Sequence, residues 1–235
     1  MKRSLTNVCF ALAVLILSWI STEAQNLSAG ARRNVFFTDL MNGMPISRPP
    51  SGIQGDPYVS GWRLTSLKLY DYEEMIEGYY MRYNIYFDEL EFKTQKGVRA
   101  IEASKVQSFV MKDSAELKFI NAKEYQLEGT PLTGLLLMLQ DGPVQVFRKY
   151  SIDVKAPDYH PALNAGSRDT RLNKRSELLY AKDGQIFVFK NKKKLMPFFG
   201  DKTEKVEQFI KNNKIYVNDE RTLIAVIQYY NTLLQ

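Results

Sequence analysis

The alternation of apolar and polar residues from Trp62 to about Lys190 constrains this chain's fold more than any other feature. Tyr79, Met81, Tyr83, Ile85 and Phe87 fall on one face of an extended segment, and Tyr80, Arg82, Asn84 and Tyr86 fall on the other. A period of two argues for half-buried strands and against helix. Leu64, Leu67 and Leu69 open a strand before this segment, and Leu90 and Phe92 continue its pattern. After a turn at Lys96-Gly97, residues 98–101 resume it, Val106, Phe109 and Met111 mark another strand, and residues 117–120 one more. Residues 135–139 read as a strand buried on both faces, with a helical turn as the alternative that periodicity leaves open. Asp141-Gly142 and Asp183-Gly184 are hairpin signals. The first leads into a long strand over 144–154, with Val144, Val146, Arg148 and Tyr150 on one face; the second joins 178–180 to 186–189.

Strands linked by tight turns, with no helices between them, form an antiparallel meander. The 14 Tyr and 13 Phe suit such half-buried pleated faces. After Lys190 the period becomes that of a helix. Residues 193–199 read as a short turn closed by Gly200. Asp201 is placed to cap a helix carrying Val206, Phe209 and Ile210. Asn218 or Asp219 caps a last helix whose stripe is Leu223, Val226, Ile227, Tyr230 and Leu234. The expected fold is mainly β (α+β): an antiparallel β-meander sheet or open barrel with a small C-terminal helical segment packed on the sheet.

The ends of the chain add a location. Lys2 and Arg3 precede an apolar run over 8–20, and Thr22 and Ala24 are small residues at the −3 and −1 positions of a cleavage site. This is the layout of a secretory signal peptide. The run is shorter than the ~20 residues of a membrane-spanning helix, although an N-terminal anchor is the alternative. Cys9 sits near the start of the run, where it reads as a small hydrophobe rather than a lipid attachment site. Cleavage of 24 of the 235 residues leaves about 211 with no cysteine. Secretion without disulfides fits a bacterial periplasm, with cell surface or secreted as further options. The expected organisation is a signal peptide over 1–24, an irregular lead-in over 25–60, an antiparallel β domain over 61–190 and C-terminal helices over 191–235. Within the lead-in, Asn26-Leu27-Ser28 matches a glycosylation sequon and residues 34–41 read as a short helix.

Charge is unevenly distributed. The chain carries +6 overall, yet Asp71, Glu73, Glu74, Glu77, Asp88, Glu89 and Glu91 stand against Arg82 alone in one stretch. In another, Arg168, Arg171, Lys174, Arg175, Lys182, Lys190, Lys192, Lys193 and Lys194 outnumber Asp169, Glu177 and Asp183. Either these are two solvated faces of one domain, or they steer a charged partner. On the second reading Arg168, Arg171, Lys174, Arg175, Lys190, Lys192, Lys193 and Lys194 form an anionic-partner patch. Its expected partners are an envelope protein, an anionic lipid or an acidic polysaccharide, and not nucleic acid. Lysines at the end of a strand also serve to block edge pairing.

Catalytic chemistry has little foothold. His160 is the only histidine, in Pro157-Asp158-Tyr159-His160-Pro161, with no activated Ser or Cys to serve as its nucleophile. Glu89 and Glu91 share a strand face while Asp88 points the other way, which suits a polar sheet face better than a pair of catalytic acids. Asp71, Glu73 and Glu74 lack the order of a calcium loop. No catalytic, cofactor-binding or metal-binding residue is assigned. The loop over 157–174 is long, and long loops in compact domains are often functional or mobile.

Gly55-Asp56-Pro57-Tyr58, the run from Met81 to Phe92 (MRYNIYFDELEF), Lys105-Val106-Gln107-Ser108-Phe109 and the C-terminal Tyr229-Tyr230-Asn231 together carry a resemblance. Over roughly residues 55–235 the chain resembles a family of uncharacterised secreted or periplasmic proteins of Bacteroidota-type bacteria. The resemblance implies source and location, and no mechanism. The chain is thus expected to serve in one of three ways: as a non-enzymatic envelope protein acting as a binding module, as a periplasmic carrier of a hydrophobic or lipid ligand using the apolar runs 135–139 and 186–189, or as a carboxylate-based hydrolase.

Overall fold

Ten principal strands build one sheet: β1 (Arg63–Leu69), β2 (Ile76–Asn84), β3 (Glu89–Thr94), β4 (Gly97–Glu102), β5 (Val106–Lys112), β6 (Leu117–Asn121), β7 (Leu135–Gln140), β8 (Gln145–Lys155), β9 (Thr170–Lys182) and β10 (Gln185–Val188). The structure is a computed structural model describing residues 44–48, 53–112 and 115–235. Pro45–Gln235 form one compact unit, which holds these ten strands and the helices that cover them. The signal peptide, the sequon and the helix expected over 34–41 lie outside the described residues.

The strand order is β4-β3-β2-β1-β5-β6-β7-β8-β9-β10, antiparallel at every step. Two short additions are parallel: Ile53–Gln54 beside β9, and Gln126–Leu127 beside β10. The expected meander and mainly-β class are borne out, and the sheet does not close.

One connection departs from the meander and sets the curvature. The chain passes from β4 to β5 through a 3-10 turn of only three residues, Ala103–Lys105. Four strand spacings separate β4 from β5 in the sheet, about 19 Å if it were flat. The four steps from Glu102 to Val106 reach about 14 Å at most. The first five strands must therefore curl. Buried Asn121 braces the bend, its amide donating to the carbonyls of Ala103 and Val106 at 2.9 and 2.7 Å. Inside the curl, Phe109 and Phe119 stack at 4.6 Å, and the Tyr83 ring meets each at 6.3 Å.

The second half of the sheet is covered on both faces. Leu136, Phe147, Leu179 and Ile186 pack beneath Ala122 and Tyr125 of the segment that comes after β6. Val144, Val146 and Tyr180 lie against the C-terminal helices α1 (Thr203–Asn212) and α2 (Glu220–Thr232). The apolar stripes form as expected, with Val206, Ile210, Leu223, Val226, Ile227 and Tyr230 all buried. Asp219 caps α2, accepting from the Thr222 N–H at 2.9 Å.

Several local expectations need correction. The alternation through Leu90 and Phe92 is not one strand but a hairpin. The Asn84 side chain accepts from the N–H groups of Tyr86 and Phe87, and Asp88 takes a left-handed conformation, which turns the chain. Asp201 does not cap α1. A 3-10 segment, Met196–Lys202, feeds straight into that helix, so the Thr203 N–H already has the Gly200 carbonyl, and Asp201 pairs with Lys202 at 2.6 Å. The strand expected over 178–180 starts eight residues earlier, at Thr170, and shortens the loop expected over 157–174.

Candidate functional site

The excess length of β8 and β9 carries both strands past their neighbours in the sheet. β7 pairs with β8 only as far as Lys149, and β10 pairs with β9 from Leu179 onward. From Tyr150 opposite Ser176 to Lys155 opposite Arg171, the two strands have chiefly each other. This makes a two-stranded arm about 20 Å long. The segment 53–58 supports one side of it. Ile53–Gln54 pairs with Thr170 and Arg171, and a side chain at Gly55 would strike the Leu172 carbonyl, at 2.5 Å from its Cβ. Asp56 accepts from Lys174 at 2.8 Å; burial raises its carboxyl, but this bond and the Tyr58 N–H outweigh it and hold the carboxyl below the usual range.

The loop 156–169 at the end of the arm is a built object rather than a slack connection. Asp158 and Ser167 are joined through the backbone, and the Asp158 carboxylate accepts from the Ser167 N–H at 2.7 Å. That bond, with Lys155 at 3.2 Å, lowers the Asp158 carboxyl. His160 and Ala165 form a bridge. The Tyr159 hydroxyl donates to Asn164 at 2.8 Å, and the Arg168 guanidinium lies over the Tyr159 ring and donates to its hydroxyl. Gly166 sits at φ +93°, where a Cβ would lie 2.3 Å from the Asp158 carbonyl oxygen. At the apex the 3-10 turn Pro161–Leu163 leaves Leu163 73 % exposed, and Val154 on the arm is 47 % exposed. A loop that satisfies its own polar groups and turns a leucine outward has the form of a contact surface.

The eight residues of the expected basic patch fall into two groups that differ in their partners. Arg168 is held by Tyr159, Lys174 by Asp56, and Arg175 by Asp153 at 2.7 Å, all on the arm or its tip with Arg171. Lys190, Lys192, Lys193 and Lys194 lie beyond β10, where the arm leaves the sheet. They are exposed, and none forms an ion pair with a described residue. The two groups adjoin at the base of the arm: Val188 pairs with Leu179 and the Phe189 N–H bonds the Leu178 carbonyl, which brings Lys190 within a few residues of Arg175 along β9.

The acidic residues do not converge either. Glu89 and Glu91 do share a face of β3, and it is the outer, polar face. There Glu91, fully buried, accepts from Arg82 Nε at 2.8 Å, from Asn84 and from the Tyr58 hydroxyl. The Arg82 guanidinium is stacked against Tyr58 and Trp62 at 3.6 and 4.3 Å. Burial, then the Glu91 charge, pushes the Tyr58 hydroxyl up to about 12. Glu89 accepts from Ser47. The lead-in is therefore fastened across this face. Asp88 turns inward and accepts from the Tyr83 hydroxyl at 2.5 Å; burial raises both groups. Among the described residues no group of three or more His, Cys, Asp or Glu is placed to hold a metal.

The apolar runs that a carrier would turn toward its ligand are packed in part, and Phe187 is left 41 % exposed. Leu135, Leu136, Leu137 and Ile186 are buried against protein. A shallow depression of about 440 Å³ lies at the α1–α2 connection, between Asn213, Tyr216, Asp219 and Arg221. Sequence reasoning marked the tip loop as a loop but missed Leu163 and the Tyr159–Arg168 contact. The signal was Pro161 followed by Asn164 and Gly166, a helical-turn start with two residues tolerant of left-handed backbone. Compared with family models, with curated proteins and with solved structures, the chain has no match.

Proposed function

We propose that the chain is an exported, non-enzymatic protein of a bacterial envelope that works as an interaction module, with the arm and its tip loop as the contact surface. One observation carries this reading: the tip loop is cross-braced by Asp158, Tyr159, Asn164, Ser167 and Arg168 while Leu163 faces solvent. Internal bracing lowers the entropy lost when a surface binds, and a leucine so exposed contributes nothing to the core. Export rests on the signal-peptide layout of the first 24 residues.

The test places a photo-crosslinking residue at Leu163 in cells of the native host, with the same probe at Lys96, on the β3–β4 turn, as control. A discrete protein adduct at Leu163 and not at Lys96 is the expected result. Equal labelling at both positions, or none at either, overturns the reading. A reproducible lipid-range mass on the purified protein in native mass spectrometry would instead favour a carrier.

A further inference from the structure

We infer a second contact surface at the corner where β10 meets the helices, built to lie on an anionic lipid bilayer. Lys190, Lys192, Lys193 and Lys194 are all exposed and carry no ion pair with a described residue, in contrast to Arg168, Lys174 and Arg175, whose charges are held by side chains of the arm and the segment beside it. The fold fixes these lysines. Asn191 caps the turn Lys192–Leu195, its side chain accepting from the Lys194 N–H at 3.0 Å, and Leu195 anchors the turn in the core. The backbone is thus held while the ammonium groups point to water.

An aromatic group stands beside them. Phe187, three residues before Lys190, is 41 % exposed. Its ring stacks on Tyr180 at 5.3 Å and meets Phe198 at 5.5 Å. Phe198 is itself one turn beyond Lys194. Two acids stand near: Asp201, paired with Lys202, and exposed Glu177 on β9, next to the Leu178 carbonyl that Phe189 bonds, so four lysines face one acid and the corner stays positive. Unpaired lysines around a partly exposed aromatic suit a bilayer: the ammonium groups meet lipid phosphates, and the ring enters the boundary between headgroup and acyl chain. Lysine serves here because a bilayer surface asks for point charges on flexible stems rather than a bidentate fork. A purely electrostatic partner, such as an acidic polysaccharide, makes no use of Phe187 stacked on Tyr180 and turned outward. The surface lies apart from the tip loop, and neither reading depends on the other.

The test is sedimentation of the full chain with vesicles of equimolar phosphatidylglycerol and phosphatidylcholine, against vesicles of phosphatidylcholine alone. Any contribution of the apolar run over 8–20 is common to both, so the readout is the increment due to anionic lipid. That increment is expected to fall about 100-fold in the triple variant Lys192→Glu, Lys193→Glu, Lys194→Glu. It should vanish at about 1 M salt, where the screening length is about 3 Å, and weaken in Phe187→Ser. Circular dichroism of each variant verifies that the fold is kept; charge neutralisation to Gln serves if the reversal perturbs it. An increment unchanged by charge reversal, or no increment at all, overturns the proposal. So does retention on an acidic polysaccharide without any anionic-vesicle increment, and an unchanged Phe187→Ser variant removes the aromatic's part in it.

Discussion

The side chain of Asn231 on α2 pairs with the backbone of Val144 as a neighbouring strand would: Oδ1 accepts from the Val144 N–H at 2.9 Å and Nδ2 donates to the Val144 carbonyl at 2.8 Å. Val144 is fully buried just before β8 begins, so its polar groups have no water to fall back on. This contact, 87 residues apart in sequence, fixes the last helix to the start of the long strand.

Asn231→Ala leaves both Val144 groups unsatisfied and is expected to lower stability by about 2–4 kcal/mol. Asn231→Asp keeps the shape but replaces the donor by an acceptor, facing the Val144 carbonyl with a carboxylate. It should be at least as damaging at neutral pH and partly recover in acid, where the carboxyl regains a proton to donate. Urea unfolding of the three proteins at pH 7 and pH 4 measures this; an Asp variant as stable as the native protein at pH 7 would remove Asn231 from the account.

A second relationship fastens the lead-in. Glu91 is fully buried and Arg82 supplies its cation, at 2.6 Å. Removing one member of such a pair strands the other charge. Arg82→Met is expected to cost about 3–5 kcal/mol and to free Trp62, whose ring the guanidinium covers. Tryptophan emission should shift to the red, in a Trp19→Phe background so that Trp62 alone reports. Unchanged emission would show that the lead-in holds to this face without Arg82.

The Asp88–Tyr83 contact gives a pH dependence with a definite sign. Burial raises the Asp88 carboxyl above its unfolded value. The native state thus prefers the protonated form, and this contribution is full below the unfolded pKa, about 3.9, and lost as pH rises through the folded one. Asp88→Asn keeps an acceptor for the Tyr83 hydroxyl and a residue type that tolerates the left-handed backbone at this position. Its melting temperature relative to the native protein should be higher at pH 7 than at pH 3. A variant whose advantage grows toward acid would reverse the assignment.

The period of two made the strands legible, and the Asp-Gly dipeptides placed two of the hairpins, because both signals are local. The helix stripes were legible for the same reason. The curl was not, since it depends on how short the β4–β5 turn is against the number of strands it must pass, a relation visible only once the strand order is known. The partners of the basic residues were not legible for a different reason. Arg168, Lys174 and Arg175 count toward a basic segment in sequence, yet Tyr159, Asp56 and Asp153 hold them in the fold. Asp56 lies more than a hundred residues from Lys174, beyond the reach of any local pattern.

The tip loop yields the sharpest local test. Gly166 combines φ +93° with a site where a Cβ would lie 2.3 Å from the Asp158 carbonyl oxygen, so Gly166→Ala is both strained and blocked. The clash falls on Asp158, whose backbone and carboxylate close the loop on Ser167. The loop should open while the sheet, which shares no core residue with it, stays folded. Global stability is expected to drop by no more than about 1 kcal/mol, whereas amide exchange at Ser167 and Ala165 should accelerate by at least tenfold, since both N–H groups are bonded only within the loop. The same variant should lose the adduct at Leu163. Retention of that adduct with an opened loop would mean that Leu163 binds through exposure alone and that the bracing of the loop is unrelated to recognition.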